Sequence, residues 1–392
     1  MKKKYVNIIF FLALFILAFA FKAYETQSVN KILEIKEPEI KNNYELVDVF
    51  TSPYNVISKP KLAYLSDYVG KRAKALRFNG EILIAKNDHL IFHKAYGYKD
   101  PIKKVKLTKN HSFELASVSK QFTAAAVLKL QEEGKINIDE TVATYLPSFR
   151  FNQIKVSDLL KHRSGLWDYM FITERYWDKE EAPNNKDVVC LISEYENRLS
   201  FTPGRRFDYN NTNYVLLARL VEMQTGLSFK NYLEQNFIEP LCMSNTYVGL
   251  EARKYDQVLN AFQPYRYTHL PLPPSFHNSA LGDKGINASA KDLFTWFMAV
   301  KNNEILSQAS IDLMFNKSGK LGNNYGMGFR TKFKNGKLKE IYHNGLWDGF
   351  RNGLVYLPED DITIIVLSHT QNRRKFYMQK QALQKAKQIL QD

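Results

Sequence analysis

A chain of 392 residues with 45% hydrophobic and 24% charged side chains can build a large core, in one or two closely packed domains; disorder and collagen-like repeats are excluded. Its 55 Lys and Arg against 40 Asp and Glu leave a formal charge of +15, which favours anionic partners such as acidic lipid or a cell-wall polymer. The basic residues are scattered, with no zinc-ligand spacing and no Rossmann fingerprint, so neither nucleic-acid binding nor a metal or other cofactor is expected.

The opening stretch, MKKKYVNIIFFLALFILAFAFKAYE, sets three lysines before an apolar run over residues 8–21, with Ala18 and Ala20 in A-x-A spacing. That layout predicts a signal peptide over residues 1–20. The run falls short of the roughly 20 residues of a comfortable span, so cleavage after Ala20 is expected, an uncleaved anchor being the alternative. Either way the rest of the chain is placed outside the cytoplasm: periplasmic, secreted or membrane-anchored. No cysteine stands near the junction, which excludes a lipid-modified one. Residues 21–59 are polar and mixed in charge and read as a linker or stalk. The domain proper spans residues 60–392. Its Cys190 and Cys242 lie far apart; export permits a disulfide, but two buried free thiols are the expectation.

Helical periodicity opens the domain in LAYLSDYVGKRAKAL. GEILIAKNDHLIFHKAYGY follows as two apolar runs about a turn at Asn87 and Asp88, a hairpin signal. From Ser117 to about Leu306 the pattern is mostly helical, punctuated by loop signals at Gly134, His162 to Gly165, Pro203 with Gly204, and Pro271 to Pro274. Strands return in GLVYLPEDDITIIVLSH, turning at residues 358–361, and RRKFYMQKQALQKAKQILQ ends the chain as an amphipathic helix. The order predicts an α+β fold: an antiparallel sheet built from both ends of the chain and flanked by helices, with a mainly helical insertion between them.

Chemistry concentrates in ELASVSKQFTAAAVLKLQEEGK. A serine hydroxyl needs a base to become a nucleophile, and its oxyanion needs fixed donors. Ser117 and Lys120, three residues apart at the head of a long helix, fall on one face, close to the free N–H groups of the helix start. Ser-x-x-Lys also occurs at Ser28 with Lys31 and at Ser58 with Lys61, but the first lies in the linker and the second carries Pro60 inside it. The bland reading of Ser117 is a helix cap.

Partners follow in order. Tyr209 and Asn211 sit after Pro203 and Gly204, just before a helix ending at Gly226. A tyrosine beside an ammonium can take a proton from serine, and an amide can bind an acyl carbonyl. Tyr-x-Asn recurs at Tyr5 and at Tyr195, neither in a turn-then-helix context. Ahead of the last hairpin, His343, Asn344 and Gly345 can lie on an edge strand facing the serine. Lys317, Ser318 and Gly319 are the alternative for that wall, but sit in loop composition.

Taken in order, SVSK, LLKHRSGL, FTPGRRFDYNNTNY, FIEPLCMSNT, YGMGF and HNGLWDGF resemble the serine β-lactamase-related superfamily, on the side of class C β-lactamases and D-alanyl-D-alanine carboxypeptidases. The likeness runs from about residue 61 to 369. It implies an α/β domain joined to a helical one with a cleft between them. It implies acylation of Ser117, proton transfer shared by Lys120 and Tyr209, and orientation of substrate by Asn211. The backbone N–H groups of Ser117 and Leu346, the residue after His343-Asn344-Gly345, would form the oxyanion hole, with His343 on the opposite wall. LLKHRSGL would be architectural.

Where many members carry Lys-Thr-Gly, this chain has His-Asn-Gly, and a histidine loses its charge around neutral pH. The resemblance therefore points to a peptide or ester substrate before a β-lactam. Peptidoglycan is the suggested source, and Arg351 is a candidate for binding an acidic group. A tethered receptor that binds wall fragments or β-lactams without turnover is the non-catalytic alternative.

Overall fold

The computed structural model describes residues 57–178, 180–260, 272–273, 275–316, 324–370 and 374–390, all within one compact unit, Pro53–Asp392. The predicted signal, most of the linker, the turn signals at Pro271 and Pro274 and the Lys317 alternative lie outside the described residues. Among the described residues no helix is long and apolar enough to cross a membrane.

Helix α1 (Lys59–Ala75) leads into strands β1 (Gly80–Lys86) and β2 (His89–Tyr96), then a small ribbon of β3 (Tyr98–Asp100) and β4 (Val105–Lys106). Strand β5 (Phe113–Glu114) runs into a 3₁₀ turn, Ala116–Ser119, and α2 (Lys120–Glu132). Then come α3 (Val142–Tyr145), α4 (Val156–Leu160), α5 (Tyr169–Tyr176), α6 (Asn185–Tyr195), α7 (Thr212–Thr225) and α8 (Phe229–Leu233). Strands β6 (Thr246–Val248) and β7 (Ile286–Ala288) precede α9 (Ala290–Lys301) and α10 (Gln308–Met314). The chain closes with β8 (Arg330–Lys334), β9 (Lys337–Trp347), β10 (Phe350–Leu357), β11 (Ile362–Leu367) and α11 (Arg374–Leu390).

The main sheet has the order β2-β1-β11-β10-β9-β8, antiparallel throughout, so both ends of the chain meet at the β1/β11 pair as the sequence order predicts. Register follows from two-sided burial. Ile82 and Ile84 pair with Val366 and Ile364 and face a core shared with Leu65 and Val69 of α1 and Met378 and Ala382 of α11. Leu83 and Ile365, one residue along, enter the larger core on the other side, with α2, α7 and α9. These strands therefore show no apolar–polar alternation. The β1–β2 turn uses Asn87 at φ 49° and Asp88 at φ 63°, two left-handed residues that match the twist of a tight hairpin.

Two expectations change. The segment 343–345 lies on β9, second from the edge, because β8 covers its first half. That pairing stops with Arg330 opposite Tyr342, since β8 is the shorter strand, so from His343 onward β9 pairs with no strand on that side among the described residues. Both cysteines are free, as expected, but exposed. Cys190 falls outside the stripe of Val188, Val189, Leu191 and Ile192 that buries α6, and Cys242 sits in a turn at φ 51°. A three-stranded sheet, β5-β7-β6, interrupts the helical middle; its two- and three-residue strands are too short to carry a period.

Helix α2 is the central beam: Phe122 stacks on Trp296 at 3.9 Å between ring centroids, both fully buried. Phe122→Ala is expected to lower the free energy of unfolding by about 3–5 kcal/mol, read from the urea midpoint at unchanged slope.

Candidate active site

Ser117 sits in the 3₁₀ turn, and the residue before it, Ala116, is left-handed at φ 53°, a conformation that costs an alanine energy and must be held. Glu114 holds it: one carboxylate oxygen accepts the N–H of Ala116 at 3.1 Å and of Gly285 at 2.9 Å. Leu115 is tied to β7 by its N–H to the Ile286 carbonyl, 2.8 Å. From the other side, β9 presses on the turn at Gly345, where a Cβ would lie 2.0 Å from the Leu115 oxygen and 3.1 Å from the Ala116 Cβ. Gly345 thus serves by having no side chain.

Lys120, fully buried, donates to the Ser117 hydroxyl at 3.2 Å, to the Asn211 side-chain oxygen at 2.9 Å and to the Asp283 carbonyl at 2.9 Å. Its Nζ also lies 5.0 Å from the Tyr209 ring centroid and 5.6 Å from that of Tyr214. The Asn211 amide donates to Asp168 at 3.2 Å, which fixes its oxygen toward Lys120. Asp168 in turn caps α5 by accepting the Met170 N–H, 3.0 Å; burial first, then repulsion from Asp283, raises its pKa.

The Tyr209 loop hangs on the segment 159–166. Asp208 and Asn210 donate backbone N–H groups to the carbonyl and Nδ1 of His162, at 2.8 and 3.2 Å. The buried His162 ring lies 4.3 Å from that of Tyr209, and Gly204 donates to the Arg163 carbonyl at 2.9 Å. LLKHRSGL is therefore architectural in the sense expected, a bracket for the loop. Helix α7 starts one residue past Asn211 and ends at Gly226 with φ 71°, as read from the sequence. The Tyr209 hydroxyl is buried and has no hydrogen-bond partner among the described residues.

One cavity of about 490 Å³ is lined by Ser117, Tyr209, Asn211, His343 and Leu346, together with Arg330, Tyr342 and Asn344. Six of the seven predicted residues thus meet directly or through Lys120, and Gly345 lies behind the serine turn. Arg351 does not line this cavity; it sits on β10 opposite Leu346, its N–H given to the Ser368 carbonyl.

His343 is 1% exposed, on the buried face of β9 that it shares with Ile341 and Gly345. Burial, then the charges of Lys120 and Arg330, lowers its pKa to about 3, far below the neutral range expected from the sequence. Its Nδ1 meets the Asn344 carbonyl at 2.9 Å and its Nε2 the Tyr325 hydroxyl at 3.2 Å. A neutral ring with its proton on Nδ1 satisfies both, with Tyr325 donating. His343 is a polar wall without charge.

Sequence reasoning missed Glu114, Asp168, Tyr325 and Arg330. Glu114 and Arg330 stand inside or directly after the stretches ELASVSK and YGMGF, but a lone charge beside a motif carries no signal until the fold shows what it touches. Asp168 is two residues beyond LLKHRSGL, in a spot that reads as an ordinary cap.

Enclosure of the Glu114 carboxyl outweighs its two N–H donors and raises its pKa to about 7, from 4.5. The folded chain then holds a proton that the unfolded chain loses, so this group's contribution to stability is full below pH 4.5 and declines as pH rises through 7. Glu114→Gln, which keeps an oxygen for both N–H groups, is expected to remove that decline; melting curves from pH 4.5 to 8 that stay parallel to wild type would refute it. For His343, neutral above about pH 4, the acid limb of the pH–rate profile should be the same in wild type and His343→Asn; a limb near pH 6–7 lost in the variant would contradict the assignment.

With this geometry in hand, comparison with known proteins is informative. The Beta-lactamase family model matches residues 71–387. Penicillin-binding protein 4* of Bacillus subtilis is 28% identical over 327 residues, covering 79% of this chain and 71% of that protein. Protein flp of Staphylococcus aureus is 28% identical over 299 residues, 74% of this chain but only 58% of flp. Among solved structures, FmtA from Staphylococcus aureus superposes with a TM-score of 0.70 at 23% identity, covering 87% of this chain and 95% of that one, a likeness of fold. Since the matched family spans most of the described domain, and the antiparallel sheet with its flanking helices is that of these neighbours, the chain belongs to the Beta-lactamase family.

Proposed function

We propose that the protein is an exported serine hydrolase that works through a covalent ester on Ser117, with a D-amino-acid peptide of the peptidoglycan type as its favoured acyl donor. The observation that carries the reading is Lys120 Nζ at 3.2 Å from the Ser117 hydroxyl, beside a Tyr209 hydroxyl that is buried in the same site and unpartnered. In this reading Ser117 Oγ attacks the acyl carbonyl, its proton passes to the Lys120–Tyr209 pair, and that pair returns it to the leaving amine or alcohol. Water then repeats the sequence against the ester, releasing the acid and restoring the serine. The N–H groups of Ser117 and Leu346 receive the oxyanion, and Asn211 holds the acyl side. The proton belongs to the coupled pair, not to one residue.

A penicillin-binding protein among the relatives supports a wall-type peptide or a β-lactam as ligand, and the N-terminal lysines and apolar run support export. A second reading, an esterase using the same residues, draws on the neutral His343 and on Asn344 where a cation and a hydroxyl stand in many members. The complete set of Ser117, Lys120, Tyr209 and Asn211 speaks against a non-catalytic receptor.

Intact-mass analysis after exposure to a fluorophosphonate should show one adduct on wild type and none on Ser117→Ala; equal labelling of both defeats the nucleophile assignment. Penicillin exposure and a panel of D-alanyl peptides and short-chain esters then rank the substrate classes. Tyr209→Phe is expected to lower kcat/KM by about 10²- to 10⁴-fold while the melting temperature stays near wild type. A loss below threefold would remove Tyr209 from proton transfer.

A further inference from the structure

A second open cleft, of about 550 Å³, shares no lining residue with the Ser117 cavity. Two segments build it: residues 150–153, after α3, and residues 197–203, which leave α6 and lead toward Tyr209. Both are fixed from behind. Phe151 is buried in the main core; Ser200 donates its N–H to the Gly165 carbonyl at 2.8 Å, and the Arg198 carbonyl accepts the indole N–H of Trp167 at 3.2 Å. The walls are therefore set before any ligand arrives.

Two arginines line this cleft, and no carboxylate does. Arg150 gives Nη1 to the Asn197 side-chain oxygen at 3.0 Å and to the Glu196 carbonyl at 3.4 Å, which orients the guanidinium and leaves its other N–H groups uncommitted. The same bond uses the oxygen of the Asn197 amide and spares its N–H groups. The Arg198 side chain has no hydrogen bond or ion pair among the described residues. Glu196, 4% exposed, spends its carboxyl on the Trp167 N–H at 2.9 Å and pairs with neither arginine. By contrast Arg206, over the Phe201 ring at 5.1 Å, has Asp208 at 3.6 Å.

One arginine fork matches a planar carboxylate; two guanidiniums from separate segments, with the Gln153 and Asn197 amides and the Thr202 hydroxyl among them, present donors from several directions. A tetrahedral phosphate accepts such a set. The volume exceeds what a bare ion fills, and Phe151 and Phe201 offer apolar surface to a carbon skeleton. We infer that this cleft is a second ligand site, in which Arg150 and Arg198 hold the phosphate group of an organic phosphate ester. The site stands apart from the hydrolase reading of Ser117 and does not depend on it.

Isothermal titration at fixed ionic strength tests it, with glycerol 3-phosphate as a monoester, diglycerol phosphate as a diester, and acetate and glycerol as controls. Wild type is expected to bind one of the phosphates at least about tenfold tighter than either control, and Arg150→Gln and Arg198→Gln each to weaken it at least about fivefold. Preference for the monoester assigns the site to a small phosphorylated molecule, and equal binding of the diester to a phosphate within a polymer; either supports it. Arg330→Gln, which alters the other cavity, should leave the affinity unchanged. Phosphate binding no tighter than acetate, binding that survives both Arg150→Gln and Arg198→Gln, or binding lost in Arg330→Gln instead, overturns the site. Melting temperatures check that the variants fold; should one fail, the other variant and Arg→Lys at the failed position decide the matter. Fluorophosphonate labelling of Ser117 has no bearing on these affinities, so failure of the hydrolase reading and failure of this site are read separately.

Discussion

A lysine ammonium deep inside a protein is costly unless its surroundings replace water, and much of the site follows from how that is done for Lys120. Among the described residues no carboxylate neutralises it directly. A hydroxyl, an amide oxygen and a backbone carbonyl, from Ser117, Asn211 and Asp283, take its hydrogens, and two tyrosine rings take its remaining sides. Each acceptor is held in turn. The Asn211 amide is oriented by Asp168, the Asp283 carbonyl belongs to the segment that precedes β7, and Ser117 stands on a turn propped by Glu114 and pressed by Gly345. Solvating one cation and placing the Ser117 hydroxyl are here the same structural task.

This also explains the uneven distribution of charge in the cleft. Burial, with the charges of Lys120 and Arg330 adding to it, has cost His343 its proton. Its contacts with Tyr325 and the Asn344 carbonyl keep the neutral ring in one orientation. The Asp168 carboxyl, next to Asp283, shifts in the opposite sense for the mirror-image reason, burial and a like neighbour. In both groups burial is the first cause, and the nearest like charge adds to it.

The sheet was legible in the sequence because ILIA is an unbroken apolar run and ITIIVL one interrupted only by Thr363, and because Asn87-Asp88 and the 358–361 turn punctuate them. Ser117, Lys120, Tyr209 and Asn211 were legible because each sits at a helix start or a loop-to-helix junction, where local pattern survives. The short strands β5, β6 and β7 were not, since pairing between residues as distant as Phe113 and Ala288 leaves no trace in either neighbourhood. The same limit applies to Glu114, whose role depends on the distant N–H of Gly285, and to Arg330, whose placement depends on the rings of Tyr209 and Tyr325. Exposure of Cys190 was misjudged because a thiol is apolar enough to suit either face of a helix, and that of Cys242 because the turn that carries it has no period to read.

The fit of Gly345 against the Leu115 carbonyl carries a consequence for the order of synthesis. The Ser117 turn is complete only when a strand made more than two hundred residues later docks against it, and that strand is held in the sheet by β10, which β11 in turn joins to β1. A nascent chain bearing Ser117, Lys120 and even Tyr209 lacks the wall that packs on their turn. Such long-range closure is slow to form. It also means that the geometry of the site is acquired as the last strands are laid down, so an unfinished or C-terminally truncated chain carries its residues without their arrangement.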